Sequence, residues 1–300
     1  MKKPQDIFQY RMKMSLYLKA LNESLNEWKY QLNLAGLGFS VSTHPRGVGL
    51  LFEGYSEHIP KLMKEVADKL KDITISDDLF NIIKEETKRK LQNIKYEKAY
   101  QRVLYELGDL SDPQFVHYKH FYDPEKKVDL ISPLSLKDIK EFSKDLYSTF
   151  SVEGLAYGNL SKDSMLQSID YYFKNLAKNP PLDKKERQKT SSYKIAKGDS
   201  FAFPMTSVDD SSNHAWVSYV QFGKRDTKLD AALRVSESIL QPDFYHELRT
   251  KNQLGYIVHS GLRESVQSLG LLFLVLGVLL GVELGEQGFR RRSCRILLLH

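Results

Sequence analysis

Near the start of the chain, apolar residues recur at alternating spacings of four and three: Met14, Leu18, Leu21, Leu25, Trp28 and Leu32. One apolar stripe of this kind predicts a helix over 7–32, and Gly36 is its stop. The period then drops to two. Residues 38–42 and 48–52 read as strands, and the turn signal Pro45-Arg46-Gly47 between them makes a hairpin. A helix is predicted over 60–70. Ser76 is placed to cap another over 77–107, with Leu79, Ile82, Ile83, Leu91, Ile94, Val103 and Leu104 inward. Residues 136–146 form a further helix. Residues 151–157 alternate like a strand and stop at Gly158-Asn159, and Ser161 caps a helix to 177. Residues 178–192 are polar, with Pro180-Pro181 and a basic run, and read as a linker. Beyond it come strands over 200–205 and 215–222, a helix over 226–249, a strand over 255–262 and its partner over 269–276.

An internal repeat runs through this pattern. The first helix leads into Leu37-Gly38-Phe39-Ser40-Val41, and the helix ending near Arg249 leads into Leu254-Gly255-Tyr256-Ile257-Val258. Superposing the two places Leu32 on Arg249 and Phe39 on Tyr256. The first copy is apolar where the second is polar, so these polar side chains are not requirements of the fold. A bland reading stands beside this: Arg249 as a cation facing a helix C-terminus, and Tyr256 as an ordinary strand aromatic.

Composition adds bounds. Three hundred residues, 41% hydrophobic and 27% charged, suit two globular domains. The net charge of +6 is mild and spread out. Its densest clusters, Lys184, Lys185, Arg187 and Lys189, and Arg290 to Arg292, read as solvated charge and not as a nucleic-acid surface. A single cysteine, Cys294, allows no intrachain disulfide and no cysteine metal site. The apolar run 269–282 is too short for a membrane-spanning helix. The polar start is unlike a secretory signal, which favours a cytoplasmic setting.

No self-sufficient catalytic centre emerges. Zinc hydrolysis needs two histidines one helical turn apart with a carboxylate. His246-Glu247 begins such a string, but Thr250 stands where the second histidine belongs. His117 and His120, near Asp123, lack a carboxylate base between them. Asp77-Asp78 and Asp209-Asp210 read as capping or loop carboxylates. Nucleophile-elbow and phosphate-loop motifs are absent.

The stretch Leu248-Arg249-Thr250-Lys251-Asn252-Gln253-Leu254-Gly255-Tyr256 resembles the Leu-Arg-Thr-x-x-Gln-Leu-Gly-Tyr signature of the pitrilysin/insulysin (insulinase) family of zinc metallopeptidases. Upstream, Leu25-Asn26-Glu27-Trp28, Ala35-Gly36-Leu37, Phe52-Glu53-Gly54-Tyr55 and Tyr157-Gly158-Asn159-Leu160 look like that family's third module. The likeness covers residues 5–273. It implies an α+β fold of LuxS/MPP-like metallohydrolase modules, one nearly complete and one partial. Residues 1–180 would be module three lacking its first strand, 181–194 a linker, 195–273 the first part of module four, and 274–300 an atypical tail.

The resemblance further implies a non-catalytic, substrate-binding half of a zinc metalloendopeptidase, inactive alone. Zinc would sit in an N-terminal half bearing His-x-x-Glu-His, so this chain binds no cofactor itself. Arg249 and Tyr256 would hold the peptide backbone and support charge developing on the scissile carbonyl, and Tyr245 would touch the neighbouring substrate side chain. The implied partners are a peptide substrate and the zinc-bearing half or a dimer partner, with no nucleic acid and no membrane. An inactive scaffold module and a truncated gene fragment are the alternatives. The sequence of the tail suggests a change of reading frame near 274. If the tail is native, the expectation is an exposed apolar strand edge prone to aggregation.

Overall fold

The computed structural model describes residues 4–44, 47–71, 74–110, 123–183, 185, 193–205, 214–265, 267–277 and 294–299. The chain forms two compact units that interleave in sequence. One holds Met1–Leu91 and Glu125–Lys189, the other Gln92–Pro124 and Thr190–His300.

In the first unit the initial stripe becomes two helices, α1 (Pro4–Ser24) and α2 (Asn26–Leu34). The single helix expected over 7–32 breaks at Leu25, whose φ of −103° and ψ of 1° leave the helical range. The hairpin forms as read: β1 (Gly38–His44) pairs antiparallel with β2 (Gly47–Glu53), Phe39 opposite Phe52. The turn residues 45–46 lie outside the described residues. Helices α3 (Ile59–Lys71), α4 (Asp77–Asn93), α6 (Pro124–Ile131), α7 (Leu136–Leu146) and α8 (Lys162–Leu176) complete the unit. Tyr17, Leu21, Val66, Leu70, Phe80 and Ile139 form the centre of its core.

Local chemistry sets several of these helix ends. Ser76 Oγ accepts from Leu79 N, and Ser161 Oγ accepts from Ser164 N, both at 3.2 Å. Ser135 and Asp138 form a reciprocal capping box on α7. Its hydrogen bond from the Ser135 hydroxyl holds the Asp138 carboxyl below the usual carboxylate range. Within the core, the Tyr17 hydroxyl donates to the Tyr147 hydroxyl at 2.8 Å. Burial pushes both phenols up, Tyr147 to about 12.

The helix expected over 77–107 is two. A 3₁₀ turn (Ile94–Tyr96) and an extended Glu97 separate α4 from α5 (Ala99–Leu110). The two halves of that apolar pattern serve different cores. Phe80 and Ile83 pack in the first unit, whereas Val103 and Leu107 are buried on a helix of the second.

The second unit is built on a five-stranded sheet, ordered β3 (Ser200–Met205), β7 (Cys294–Leu299), β4 (His214–Lys224), β6 (Ser268–Gly277) and β5 (Ile257–Glu264). All neighbours are antiparallel except β4 and β7, which run parallel. Helix α9 (Thr227–Tyr245) packs on β5 and β6, with Leu233 against Leu269 and Leu271. Asp226 caps it by accepting from Leu229 N at 2.9 Å. Gln221 ties in the incoming chain, accepting from Ile195 N and donating to Tyr193 O.

One expectation about the tail is corrected here. The apolar strand β6 lies between β4 and β5 and is no edge, and residues 294–299 form a paired strand inside the sheet.

Candidate functional site

Arg249, Tyr256 and Tyr245 all lie where α9 passes into β5. The α-helix does not simply end. From His246–Lys251 it widens into a π-helical turn, in which Asn252 N donates to Glu247 O at 3.0 Å, a bond spanning five residues. The Glu247 carboxylate pairs with Lys251 at 2.8 Å and also meets Asn252, and the Lys251 contact holds it below the usual carboxylate range. Gln253 then turns the chain with a φ of 51°, in the left-handed region. Leu254 N closes back on Leu248 O at 2.9 Å.

Past this turn two glycines meet. A Cβ on Gly255 would lie 2.4 Å from the Leu276 carbonyl oxygen, and one on Gly277 would lie 2.2 Å from the Leu254 carbonyl oxygen. Neither position has room for a side chain. The close approach lets Tyr256 N donate to Leu276 O at 2.9 Å and start the ladder between β5 and β6. Arg249 belongs to the same structure: its Nη1 donates to Gly255 O at 3.0 Å. That bond fixes one arm of a guanidinium carrying five N–H donors, and no other hydrogen bond or ion pair engages it among the described residues. Tyr256 is 48% exposed and Tyr245 45% exposed, while Arg249 is partly buried. The three side chains are at the surface of the unit and not in its core.

The hairpin of the first unit has the same design. Gly36, at a φ of 72°, holds the repeat position of Gln253, and Gly38 that of Gly255. There Gly54, just past the partner strand, abuts the Gly36 carbonyl oxygen and Leu37, as Gly277 abuts Leu254 and Gly255. The side chains at the repeat positions differ in exposure. Phe39 is 8% exposed and sits in the core with Leu32 packed beside it, whereas its counterpart Tyr256 is at the surface. The π turn, the left-handed Gln253 and the pairing of Gly255 with Gly277 were not read from sequence. The one available signal was Gly36 at the repeat position of Gln253.

Other candidate groups do not assemble. Among the described residues no cluster of three or more His, Cys, Asp or Glu side chains could hold a metal ion. Glu247, the carboxylate of the incomplete zinc string, is committed to Lys251 and Asn252. The pair His117 and His120 and the pair Asp209-Asp210 lie outside the described residues, as does most of the basic run 184–189. No helix among the described residues is long and apolar enough to cross a membrane.

Comparison with known proteins gives the family. Residues 4–123 match the middle or third domain of peptidase M16, and residues 133–279 match the peptidase M16 inactive domain. The second match runs past residue 273, where the sequence likeness was expected to fade, and so takes in the end of β6. Insulin-degrading enzyme of Drosophila melanogaster is 28% identical over 259 residues, covering 85% of this chain and 26% of that protein. The Homo sapiens insulin-degrading enzyme is 27% identical over 264 residues, covering 87% and 25%. A nardilysin-like protein of Arabidopsis thaliana is 28% identical over 264 residues, covering 87% and 25%.

Among solved structures, pitrilysin superposes with a TM-score of 0.65 at 18% identity, over 89% of this chain and 27% of that one. The peptidase M16 inactive domain from Pseudomonas fluorescens superposes with a TM-score of 0.53 at 16% identity, over 91% and 66%. The class is thus a mixed α+β fold of the kind seen in pitrilysin. The chain belongs to the peptidase M16 family. It spans about a quarter of the length of the curated relatives it matches.

Proposed function

We propose that this chain is the non-catalytic, substrate-holding half of an M16-type zinc metalloendopeptidase, built from LuxS/MPP-like modules. Residues 1–180 would be module three and residues 195–273 the first part of module four. The observation that carries this reading is the contrast within the repeat. The backbone design is kept in both hairpins, but the apolar Leu32 and Phe39 of one become the donors Arg249 and Tyr256 of the other, held at the surface. Donors that the fold does not need, fixed by a carbonyl bond and a strand register, suit a ligand.

The chemistry fits a peptide. A guanidinium anchored through one arm and a phenol can both donate to a carbonyl oxygen that is gaining negative charge. Because Gly255 O already fixes Arg249, little reorganisation is needed when charge develops. Tyr245, at the end of α9, offers an aromatic face to a side chain of the bound peptide. The zinc and its carboxylate base would come from an N-terminal half, fused or separate.

The test is peptide turnover by the purified 300-residue chain, alone and mixed with a zinc-bearing N-terminal half of an M16 peptidase. The expected result is no cleavage alone, even with added zinc, and cleavage on mixing. Zinc-dependent turnover by the chain alone would overturn the reading. If the mixture is active but Arg249→Ala and Tyr256→Phe leave its rate unchanged, the chain is a scaffold partner instead.

A further inference from the structure

The turn that carries Arg249 is wound one residue wider than its counterpart in the first unit. In that counterpart Ala35 N donates to Gln31 O at 3.2 Å and Leu37 N to Leu32 O at 2.9 Å, spans of four and five residues. At the matching repeat positions Asn252 N donates to Glu247 O at 3.0 Å and Leu254 N to Leu248 O at 2.9 Å, spans of five and six. Both turns lead from a helix into the first strand of a hairpin. The hairpin design therefore does not require the extra width, and such widened turns are frequent at functional sites.

A side chain accompanies the widening. Alanine stands at position 35 of the first turn, and its match in the second is Asn252. The Asn252 carboxamide donates to the Glu247 carbonyl oxygen at 2.8 Å, the oxygen its own main-chain N–H also reaches. The main-chain bond already satisfies that carbonyl, so the second donor is not needed for pairing. What it adds is a fixed course for the outgoing chain. The Glu247–Lys251 ion pair adds little to this, because its side chains are 50% and 63% exposed. Three consecutive residues are thus tied to the chain that follows: Glu247 O to Asn252, Leu248 O to Leu254 N, and the Arg249 guanidinium to Gly255 O. In the first turn Leu32, the match of Arg249, is tied through its own main-chain carbonyl.

We infer that Asn252 is a positioning residue for Arg249. Its carboxamide holds the turn in the wide form, and the wide form presents Gly255 O to one arm of the guanidinium. The other arm is then aimed and left to a ligand. Asn252 itself touches no substrate. The inference rests on the role proposed for Arg249, so its test carries one readout that does not depend on peptide cleavage.

The experiment is a double-mutant cycle of Asn252→Ala and Arg249→Ala in the chain mixed with a zinc-bearing N-terminal half of an M16 peptidase. In the native background Asn252→Ala should lower kcat/KM by about 10–100-fold, as misplaced reacting groups do. The loss should fall on kcat more than on KM, because the donor serves charge that develops during the reaction. In the Arg249→Ala background the same change should cost less than about twofold. Equal losses in the two backgrounds would overturn the inference, since Asn252 would then act on the fold at large, and so would a loss below about twofold in the native one. The second readout is exchange of the Arg249 guanidinium protons with water, followed by NMR in the 300-residue chain alone. Asn252→Ala should speed it by about tenfold or more, because the bond to Gly255 O is no longer held in place. If the mixture cleaves nothing, the proposed function fails and this exchange alone decides the role of Asn252; exchange unchanged by the substitution would overturn it. Should Asn252→Ala fail to fold, Asn252→Asp, which keeps the shape and removes the donor, takes its place in both arms.

Discussion

At the scale of single residues, the site is defined as much by what is missing as by what is present. Gly255 and Gly277 lack side chains, so β5 and β6 approach closely enough for Tyr256 N to reach Leu276 O. Gly255→Ala would drive a Cβ into backbone, which cannot move aside as a flexible side chain would. A loss of about 1–3 kcal/mol is expected, the usual range for overpacking. Gly154→Ala, with no atom within 4 Å of the new Cβ, should change stability by less than about 0.5 kcal/mol. Urea unfolding of the two variants measures the difference. Arg249 and Tyr256 were legible in the sequence because the repeat set them against Leu32 and Phe39. The support beneath them was not. A glutamine at a left-handed φ and a π-helical turn have no reliable signature in a single sequence, since both are imposed by packing around them.

At the scale of elements, caps and periodicity carried the reading furthest. Helix α7 was expected over 136–146 and forms over those residues, its start set by the Ser135–Asp138 box. Ser135→Ala should cost about 0.5–2 kcal/mol, measured as a lowered unfolding midpoint. What periodicity could not show is which core an apolar face serves. That is why α4 and α5 read as one helix.

The buried Tyr17–Tyr147 pair gives the first unit an alkaline limit. Burial raises both phenols above their ordinary value near 10, Tyr147 to about 12. The contribution of Tyr147 to stability is therefore complete below pH 10 and is lost as pH climbs from 10 through 12, and that of Tyr17 is lost at higher pH still. Tyrosinate absorbance and circular dichroism, followed together, should show these phenols ionising only as the first unit unfolds. Ionisation of all tyrosines well before any loss of structure would contradict the buried pair.

At the scale of the whole molecule, family membership rests on matches along almost the full chain, whereas the proposed function rests on Arg249 and Tyr256. Arg249 and Tyr256 are placed by the fold and left at the surface, and no metal-binding cluster of this chain lies among the described residues. The proposed function predicts activity only in combination with a zinc-bearing half.

The most direct measurement is kcat/KM for a peptide cleaved by the chain reconstituted with a zinc-bearing M16 N-terminal half, comparing the native chain with Arg249→Ala. The expected result is a fall of about 10²–10³-fold, with the isolated chain still folded and destabilised only by about the 1 kcal/mol of one lost hydrogen bond. A rate within about twofold of the native mixture, from a variant that folds and assembles normally, would contradict the assignment of Arg249 as a substrate-holding donor.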